Sequence, residues 1–227
     1  ILSHYDSNTL YAGANVLFKS NNRGDSWKCI SPDLSSNPGP ERTGNVPFGT
    51  ITDISESALK KGLLYAGTDD GQLHVTKDDG ATWKSINNGL PNRWVSRVVA
   101  SKHDEGTVFV SMTGYRDDDF AAFLYMSTDF GETWKPIVNN MPSESINVIR
   151  EDPTDEDILY VGTDLGAYCS IDKGQTWHSL CKTLPTCAVH DLEVHAGTGD
   201  LVAGTHGRSA FVLHAKNIQQ IKQELAK

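Results

Sequence analysis

Short apolar runs recur along this chain, separated by turns rich in Gly, Asn, Asp and Ser. One set reads Leu10-Tyr-Ala-Gly13, Leu64-Tyr-Ala-Gly-Thr68, Val108-Phe-Val-Ser-Met112, Leu159-Tyr-Val-Gly-Thr163 and Leu201-Val-Ala-Gly-Thr205. A second set lies upstream of the later members: Thr50–Ile54, Val95–Val99, Ile146–Ile149 and Val189–Leu192. A third follows them: Val16-Leu-Phe18, Leu73-His-Val75, Leu124-Tyr-Met126 and Ala167-Tyr-Cys169. A fourth closes each unit: Lys28-Cys-Ile30, Lys84-Ser-Ile86, Lys135-Pro-Ile137 and His178-Ser-Leu180. Runs this short, bounded by turn residues, predict strands rather than helices. Four in succession predict a four-stranded antiparallel unit about the length of a propeller blade.

Between the third and fourth runs stands one phrase, repeated four times. It reads Ser20-Asn-Asn22-Arg-Gly24-Asp-Ser26-Trp27, Thr76-Lys-Asp78-Asp-Gly80-Ala-Thr82-Trp83, Ser127-Thr-Asp129-Phe-Gly131-Glu-Thr133-Trp134 and Ser170-Ile-Asp172-Lys-Gly174-Gln-Thr176-Trp177. Asp or Asn at the third position favours a turn by bonding its own backbone two residues on. Gly at the fifth supplies a positive φ. Ser or Thr at the seventh ties the turn back to the third position, and Trp opens the next strand and caps a hydrophobic layer. Each phrase is therefore expected to form a hairpin tip with a loop longer than two residues. The tryptophans are spaced 56, 51 and 43 residues apart, the variation falling in loops. One such sheet alone is marginal in water, so the repeats are expected in a ring or part of one.

These phrases resemble Asp-box, or bacterial neuraminidase, repeats, shared by sialidases, sortilin-type receptors, xyloglucan-degrading hydrolases and photosystem II stability factors. The chain is most similar to bacterial Asp-box propellers named glycosyl hydrolases by similarity. Shared phrases run along almost its whole length: Asn8–Gly13, Ile30–Leu34, Gly67–Gly71, Trp94–Val98, Asn147–Pro153, Val161–Gly166, Val189–His195 and Leu201–Ser209. The resemblance implies an all-β propeller of four-stranded blades with Asp-box hairpins. It says little about chemistry, because in sialidases the Asp box lies on the outer rim, away from substrate. By this reading Asn22, Gly24, Trp27, Asp78, Gly80, Trp83, Asp129, Gly131, Trp134, Asp172, Gly174 and Trp177 are structural.

Composition narrows the picture. A chain of 227 residues suits one domain with a sizeable core, and 20 glycines suit a turn-rich all-β protein. The net charge of −9 argues against nucleic acid, whose phosphates need a basic face. No run of apolar residues is long enough to span a membrane. The expected blades cover about 1–34, 46–90, 91–141, 142–185 and 186–214. The chain opens on Ile1, and the last repeat has no hairpin phrase after Gly207. Four full blades and one incomplete one suggest the C-terminal part of a ring of seven or more blades. The remaining blades would lie on a preceding segment or another chain; the alternative is a closed five-bladed ring. Residues 215–227 place Ile218, Ile221 and Leu225 on one side of a short amphipathic helix, expected to pack on the rim. The spacing of Cys29, Cys169, Cys181 and Cys187 fits no metal site. Cys181 and Cys187 flank a turn and can form a small disulfide in an oxidising compartment, while Cys169 reads as a core residue.

In a propeller, function is expected in the loops around the channel mouth, because a rigid scaffold positions them. The long insertions there are Ser35–Phe48, with Glu41 and Arg42, and Gly114–Phe120. The second holds Tyr115, Arg116 and three consecutive aspartates, a possible Ca²⁺ loop that more often is simply solvated. Candidate mouth residues are Asp53, Asp69, Asp70, Trp94, Arg97, Tyr115, Arg116, Asn147, Arg150, Asp164, His190, Asp191, His206 and Arg208. They read equally well as a recognition surface and as polar residues bonded between blades.

A glycosidase would need two facing carboxylates, for which Asp53, Asp164 and Asp191 are candidates. Similarity to sialidases implies three arginines as well, for which Arg97, Arg150 and Arg208 come from different repeats. The sialidase N-terminal arginine motif is absent, and no Tyr–Glu pair is evident. The expectation is therefore a non-catalytic recognition or scaffolding propeller, without metal or cofactor, that binds protein, peptide or glycan in a larger secreted, periplasmic or envelope-associated assembly. The alternative is a glycoside hydrolase of sialidase-like or xyloglucanase-like type.

Overall fold

The computed structural model describes residues 1–37, 39, 48–180 and 184–225. Among them the chain is all-β, a β-propeller fold of five antiparallel sheets. The first sheet comprises β1 (Leu10–Gly13), β2 (Leu17–Ser20) and β3 (Lys28–Cys29). The second comprises β4 (Ile51–Glu56), β5 (Leu64–Thr68), β6 (Leu73–Thr76) and β7 (Lys84–Ser85). The third comprises β8 (Trp94–Ala100), β9 (Val108–Gly114), β10 (Asp119–Ser127) and β11 (Lys135–Pro136). The fourth comprises β12 (Ile146–Glu151), β13 (Leu159–Thr163), β14 (Ala167–Ser170) and β15 (His178–Ser179). The fifth comprises β16 (Val189–His195), β17 (Asp200–Thr205) and β18 (Ala210–His214), and helix α1 (Lys216–Leu225) follows it. No described helix is long and apolar enough to cross a membrane.

The strand counts depart from the expected four full units and one partial one. Three sheets hold four strands and two hold three. Ahead of β1 the chain makes a short antiparallel pairing: the bridge Leu2 to Leu10 is flanked by bonds from the Ser3 N–H to the Thr9 carbonyl at 3.0 Å and from the Tyr11 N–H to the Ile1 carbonyl at 2.9 Å, and a turn at Asp6, whose Oδ1 accepts the Asn8 N–H at 3.0 Å, joins the two sides. Most of the Ser35–Phe48 insertion, with Glu41 and Arg42, lies outside the described residues, as does Cys181 of the expected disulfide. Cys169 is buried, as expected of a core residue.

The chain forms two compact units, Ile1–Val110 with Met126–Lys135, and Ser111–Tyr125 with Pro136–Lys227. The first has a core built on Tyr11, Leu17 and Leu64, against which Ile51, Ile54 and Trp83 pack. The second is cored by Val148, Tyr160, Val189, Leu192 and Leu201.

The repeated phrase folds the same way each time. In the third copy the Ser127 hydroxyl donates to Asp129 Oδ1 at 2.6 Å and accepts the Gly131 N–H at 2.8 Å. Asp129 also accepts from the Thr133 N–H at 2.9 Å and the Thr133 hydroxyl at 2.6 Å. Copies two and four repeat these bonds around Asp78 and Asp172, and the first uses Asn22. The loop is longer than two residues, as expected: Val75 pairs with Lys84 and Cys169 with His178, which leaves 76–83 and 170–177 between the paired positions. Within it the fourth and fifth positions are both left-handed, as at Phe130 and Gly131 with φ of 63° and 87°. The left-handed residue then donates its N–H to the preceding loop: Asp79 to Gly62 at 2.9 Å, Phe130 to Gly106 at 2.8 Å and Lys173 to Asp157 at 2.8 Å.

The same phrases clamp neighbouring sheets. The indole N–H of Trp83 donates to the Ile30 carbonyl at 2.9 Å, that of Trp134 to Ile86 at 2.8 Å and that of Trp177 to Ile137 at 2.7 Å. The phrase glycine makes room: a Cβ on Gly131 would lie 2.5 Å from Ile86 Cδ1. The Leu-Tyr-Ala-Gly strand needs its glycine for the same reason, since a Cβ on Gly67 would lie 2.3 Å from Val95 Cγ1.

Helix α1 packs through only part of the apolar side that the sequence pattern implies. Ile218 is buried in the second unit's core, while Ile221 is 52% exposed. Gln219 donates to Asp152 and Thr154, and Lys222 to Asp155 and Asp157, which moors the helix to the loop before β13.

The hairpin carboxylates carry a pH signature. Bonds from Ser127 and Thr133 hold Asp129 down at about 2, and bonds from Thr82 lower Asp78. Burial pushes Asp172 up, but bonds from Thr176 and Ser170 outweigh it and leave it lowered. A carboxylate depressed in the folded state stabilises above its ordinary pKa of about 4, and that stability is lost as pH falls toward the folded value. The urea midpoint is therefore expected to drop between about pH 4 and pH 2, and less steeply in a triple Asp78→Asn, Asp129→Asn, Asp172→Asn variant. Equal slopes would refute this.

A second prediction concerns equivalent tyrosines. The Tyr160 hydroxyl donates to Asp152 at 2.9 Å and that of Tyr11 to Glu56 at 3.1 Å, whereas the buried Tyr65 hydroxyl has no partner among the described residues. The position matching Glu56 in the next sheet is the apolar Ala100. Tyr160→Phe is expected to cost about 1–2 kcal/mol in urea unfolding, and Tyr65→Phe to be neutral or stabilising.

Candidate functional site

The first strands of the sheets carry half of the expected mouth residues, and in three of these strands a bulge sets their direction. The register slips between Ile51 and Asp53 in β4, between Ile146 and Val148 in β12 and between Val189 and Asp191 in β16. The extra residue is Thr52, Asn147 or His190, at equivalent places. Bulges re-aim side chains and bend strands, which suits a polar surface at a sheet end.

In the first unit this surface is tied together. Asp53 accepts from the Val98 N–H at 2.8 Å and from Arg97 Nη1 at 3.3 Å, joining β4 to β8. The Thr52 hydroxyl donates to the Val95 carbonyl at 2.7 Å. Asp69 and Asp70 are buried. Asp69 Oδ1 accepts the N–H groups of Gly49 and Thr50, both at 2.8 Å. Asp70 accepts from the Thr68 hydroxyl and from the N–H and hydroxyl of Ser36. Trp94 opens β8 and is half-buried. Asp53 and Arg97 thus come together, while Asp69 and Asp70 fasten the chain entering β4.

The second unit repeats the pattern and adds exposed groups. Arg150 donates from Nη2 to Asp191 Oδ1 at 2.7 Å and from Nε to the Leu192 carbonyl at 2.8 Å, joining β12 to β16. Asn147 donates to Asp164 at 3.0 Å. The rings of His190 and His206 lie 5.4 Å apart, both exposed, and Arg208 is exposed beside them in sequence. Tyr115 and Arg116 sit on a 3-10 turn, Tyr115–Asp117, where Arg116 Nε donates to the Tyr115 hydroxyl at 3.3 Å. Asp118 is left-handed at φ 55°, and Asp119 accepts the Ala121 N–H at 3.2 Å. Among the described residues no three His, Cys, Asp or Glu side chains converge as metal ligands.

One sequence expectation is corrected here. No Tyr–Glu pair was evident along the chain, yet Tyr168 donates its hydroxyl to Glu144 Oε1 at 3.0 Å. Glu144 Oε2 also accepts from the Thr163 hydroxyl at 2.5 Å. The pair joins the link ahead of β12 to β14, 24 residues apart, and folding alone makes it visible. The sequence reading also missed the acceptors ending each first strand. Ser57 accepts from Leu59 and Lys60 N–H, Ser101 from His103 and Asp104, and Asp152 from Thr154 and Asp155. Their recurrence at one place in the repeat was the available signal.

The comparisons agree with this architecture. The model of the DUF6242 β-propeller domain matches residues 6–218. The xyloglucanase Xgh74A of Acetivibrio thermocellus is 28% identical over 149 residues, which cover 58% of this chain and 18% of that protein. The vacuolar protein sorting/targeting protein 10 of Arthroderma benhamiae is 23% identical over 187 residues, covering 76% of this chain and 12% of that protein. This chain therefore spans less than a fifth of either curated relative. The GH74 xyloglucanase from Xanthomonas campestris superposes with a TM-score of 0.69 at 13% identity, over 96% of this chain and 36% of that one, a likeness of fold.

The contrast between tied and exposed arginines is testable. Arg150, 19% exposed and bonded to the next sheet, is expected to cost about 1–3 kcal/mol when changed to Met. The exposed Arg208 is expected to stay within about 0.5 kcal/mol. Equal urea midpoints for the two variants would remove the inter-sheet role of Arg150.

Proposed function

The chain belongs to the DUF6242 β-propeller domain family, and from that premise we propose that it is a non-catalytic recognition or scaffolding module working within a larger protein or assembly. We assign its repeated phrase to the Asp-box type. The reading rests above all on how the mouth carboxylates are occupied. Asp53 is held by a guanidinium and a backbone N–H, and Asp69 by two backbone N–H groups. Carboxylates engaged in this way join strands and fasten the chain entering β4, a structural use of the acceptor oxygens. The exposed Tyr115, Arg116, His190, His206 and Arg208 are within reach of a protein, peptide or glycan, each within its own unit. The likeness to a sorting/targeting protein fits this reading, and so does the small share of each relative that the chain spans.

One observation favours a second reading as a glycoside hydrolase. Glu144 and Tyr168 are hydrogen-bonded within the unit that also holds Asp164. Similarity to xyloglucanases over 58% of the chain points the same way.

The deciding assay incubates purified chain with xyloglucan and with sialyllactose and measures released sugar. No turnover above the buffer blank is expected. Turnover that disappears in a folded Glu144→Gln variant would overturn the proposal in favour of catalysis.

A further inference from the structure

The geometry points to a divalent transition-metal site in the second unit, held by the imidazoles of His190 and His206 and taking an ion of the zinc and copper(II) class. The inference goes beyond the recognition reading. It concerns ion binding, which is measured without any partner, so either can fail alone.

The two histidines occupy places that the repeats define. His190 is the bulge residue of β16, as Thr52 is of β4 and Asn147 of β12. His206 follows β17, and its N–H donates to the Ala188 carbonyl at 2.9 Å. Asp69 and Asp164 make the same bond in their own sheets, to Thr50 at 3.0 Å and to Ser145 at 3.2 Å. In the fourth sheet these two places hold a donor and an acceptor, and Asn147 donates to Asp164 at 3.0 Å. In the fifth they hold two rings, whose centroids lie 5.4 Å apart with a tilt of 45° between the planes. A tetrahedral zinc ion, with each ligand nitrogen about 2 Å away, sets two imidazole centroids about 5 Å apart. The observed spacing is that of two rings sharing one ion.

The backbone fixes both residues before any ion arrives. Val189 pairs with Thr205, immediately ahead of each histidine. The Ser209 carbonyl accepts the Thr205 N–H at 3.2 Å and its hydroxyl at 2.5 Å, which closes the loop carrying His206. Both histidines are exposed, so an ion reaches them directly from solvent. Nitrogen ligands favour zinc or copper(II) over magnesium or calcium. Asp191, next in sequence, is engaged by Arg150 Nη2 at 2.7 Å instead. A tetrahedral ion held by two imidazoles keeps its remaining positions for water or for a side chain of a partner.

Two further histidines lie at the opposite end of the same sheet, and their nitrogens are already used. His195 Nδ1 accepts the Thr198 N–H at 3.1 Å, and His214 Nδ1 is bonded to Asp200 Oδ1.

The test is isothermal titration calorimetry of the whole chain, without a histidine tag, against zinc chloride. One ion per chain is expected, with a Kd below about 100 μM. His190→Asn and His206→Asn should each weaken binding about tenfold or more, since loss of even an outer-shell partner costs that much. The double variant His190→Asn, His206→Asp copies the Asn147–Asp164 pair of the fourth sheet. It should keep its circular dichroism spectrum and urea midpoint while losing saturable zinc binding. The double variant His195→Ala, His214→Ala should bind zinc as the unsubstituted chain does. No saturable binding below about 1 mM, unchanged affinity in either single variant, or lost binding in the His195→Ala, His214→Ala variant would each overturn the proposal.

Discussion

Close face-to-face burial between neighbouring sheets is the constraint on which everything else in this molecule depends. Sheets of strands two to nine residues long have too little apolar surface to stand alone, so each must press against the next. The approach is tight enough that glycine is required where a backbone meets the next sheet's side chains, as at Gly67 against Val95 and at Gly131 against Ile86. The indole of each following sheet adds one directional bond, to the Ile30, Ile86 or Ile137 carbonyl. Apolar burial supplies the drive and is indifferent to register; the indole bond and the glycine gaps fix it.

This division explains what was legible in the sequence. The hairpin phrase is a local object: Asp, Ser or Thr, and Gly interact within eight residues, so their chemistry can be read directly from spacing. Left-handed φ at the fourth position was not legible, because Arg23, Asp79, Phe130 and Lys173 share no chemistry that favours it. What holds them there is the bond from their N–H to the loop before the second strand, a contact between segments that spacing does not reveal. The pairing of Leu2 with Leu10 across the turn at Asp6 was hidden similarly, since so short a stretch carries no run of its own.

The candidate site was legible as a list and not as an arrangement. Asp53 and Arg97 lie 44 residues apart, and Arg150 and Asp191 are separated by 41, yet each pair bridges adjacent sheets. Which polar residues the scaffold uses, and which it leaves exposed, depends on the bulges at Thr52, Asn147 and His190, and a bulge inverts the face that simple alternation assigns. Glu144 was overlooked because it sits in a Met-Pro-Ser link with nothing to mark it; its Tyr168 and Thr163 partners are what single it out.

The same accounting gives the acidic charge a structural origin. Turns and caps in this fold need acceptors for backbone N–H groups, and aspartate is the shortest side chain that offers two oxygens. Asp6, Asp33, Asp69, Asp78, Asp129, Asp152, Asp155 and Asp172 all accept such bonds. A fold repeated from hairpins and tight links therefore accumulates negative charge in building itself, before any partner is considered. The net −9 is to be expected from five sheets joined this way, and by itself it marks no cationic ligand. On the reading proposed above, contact with a partner falls to side chains that the scaffold leaves exposed, such as His206 and Arg208.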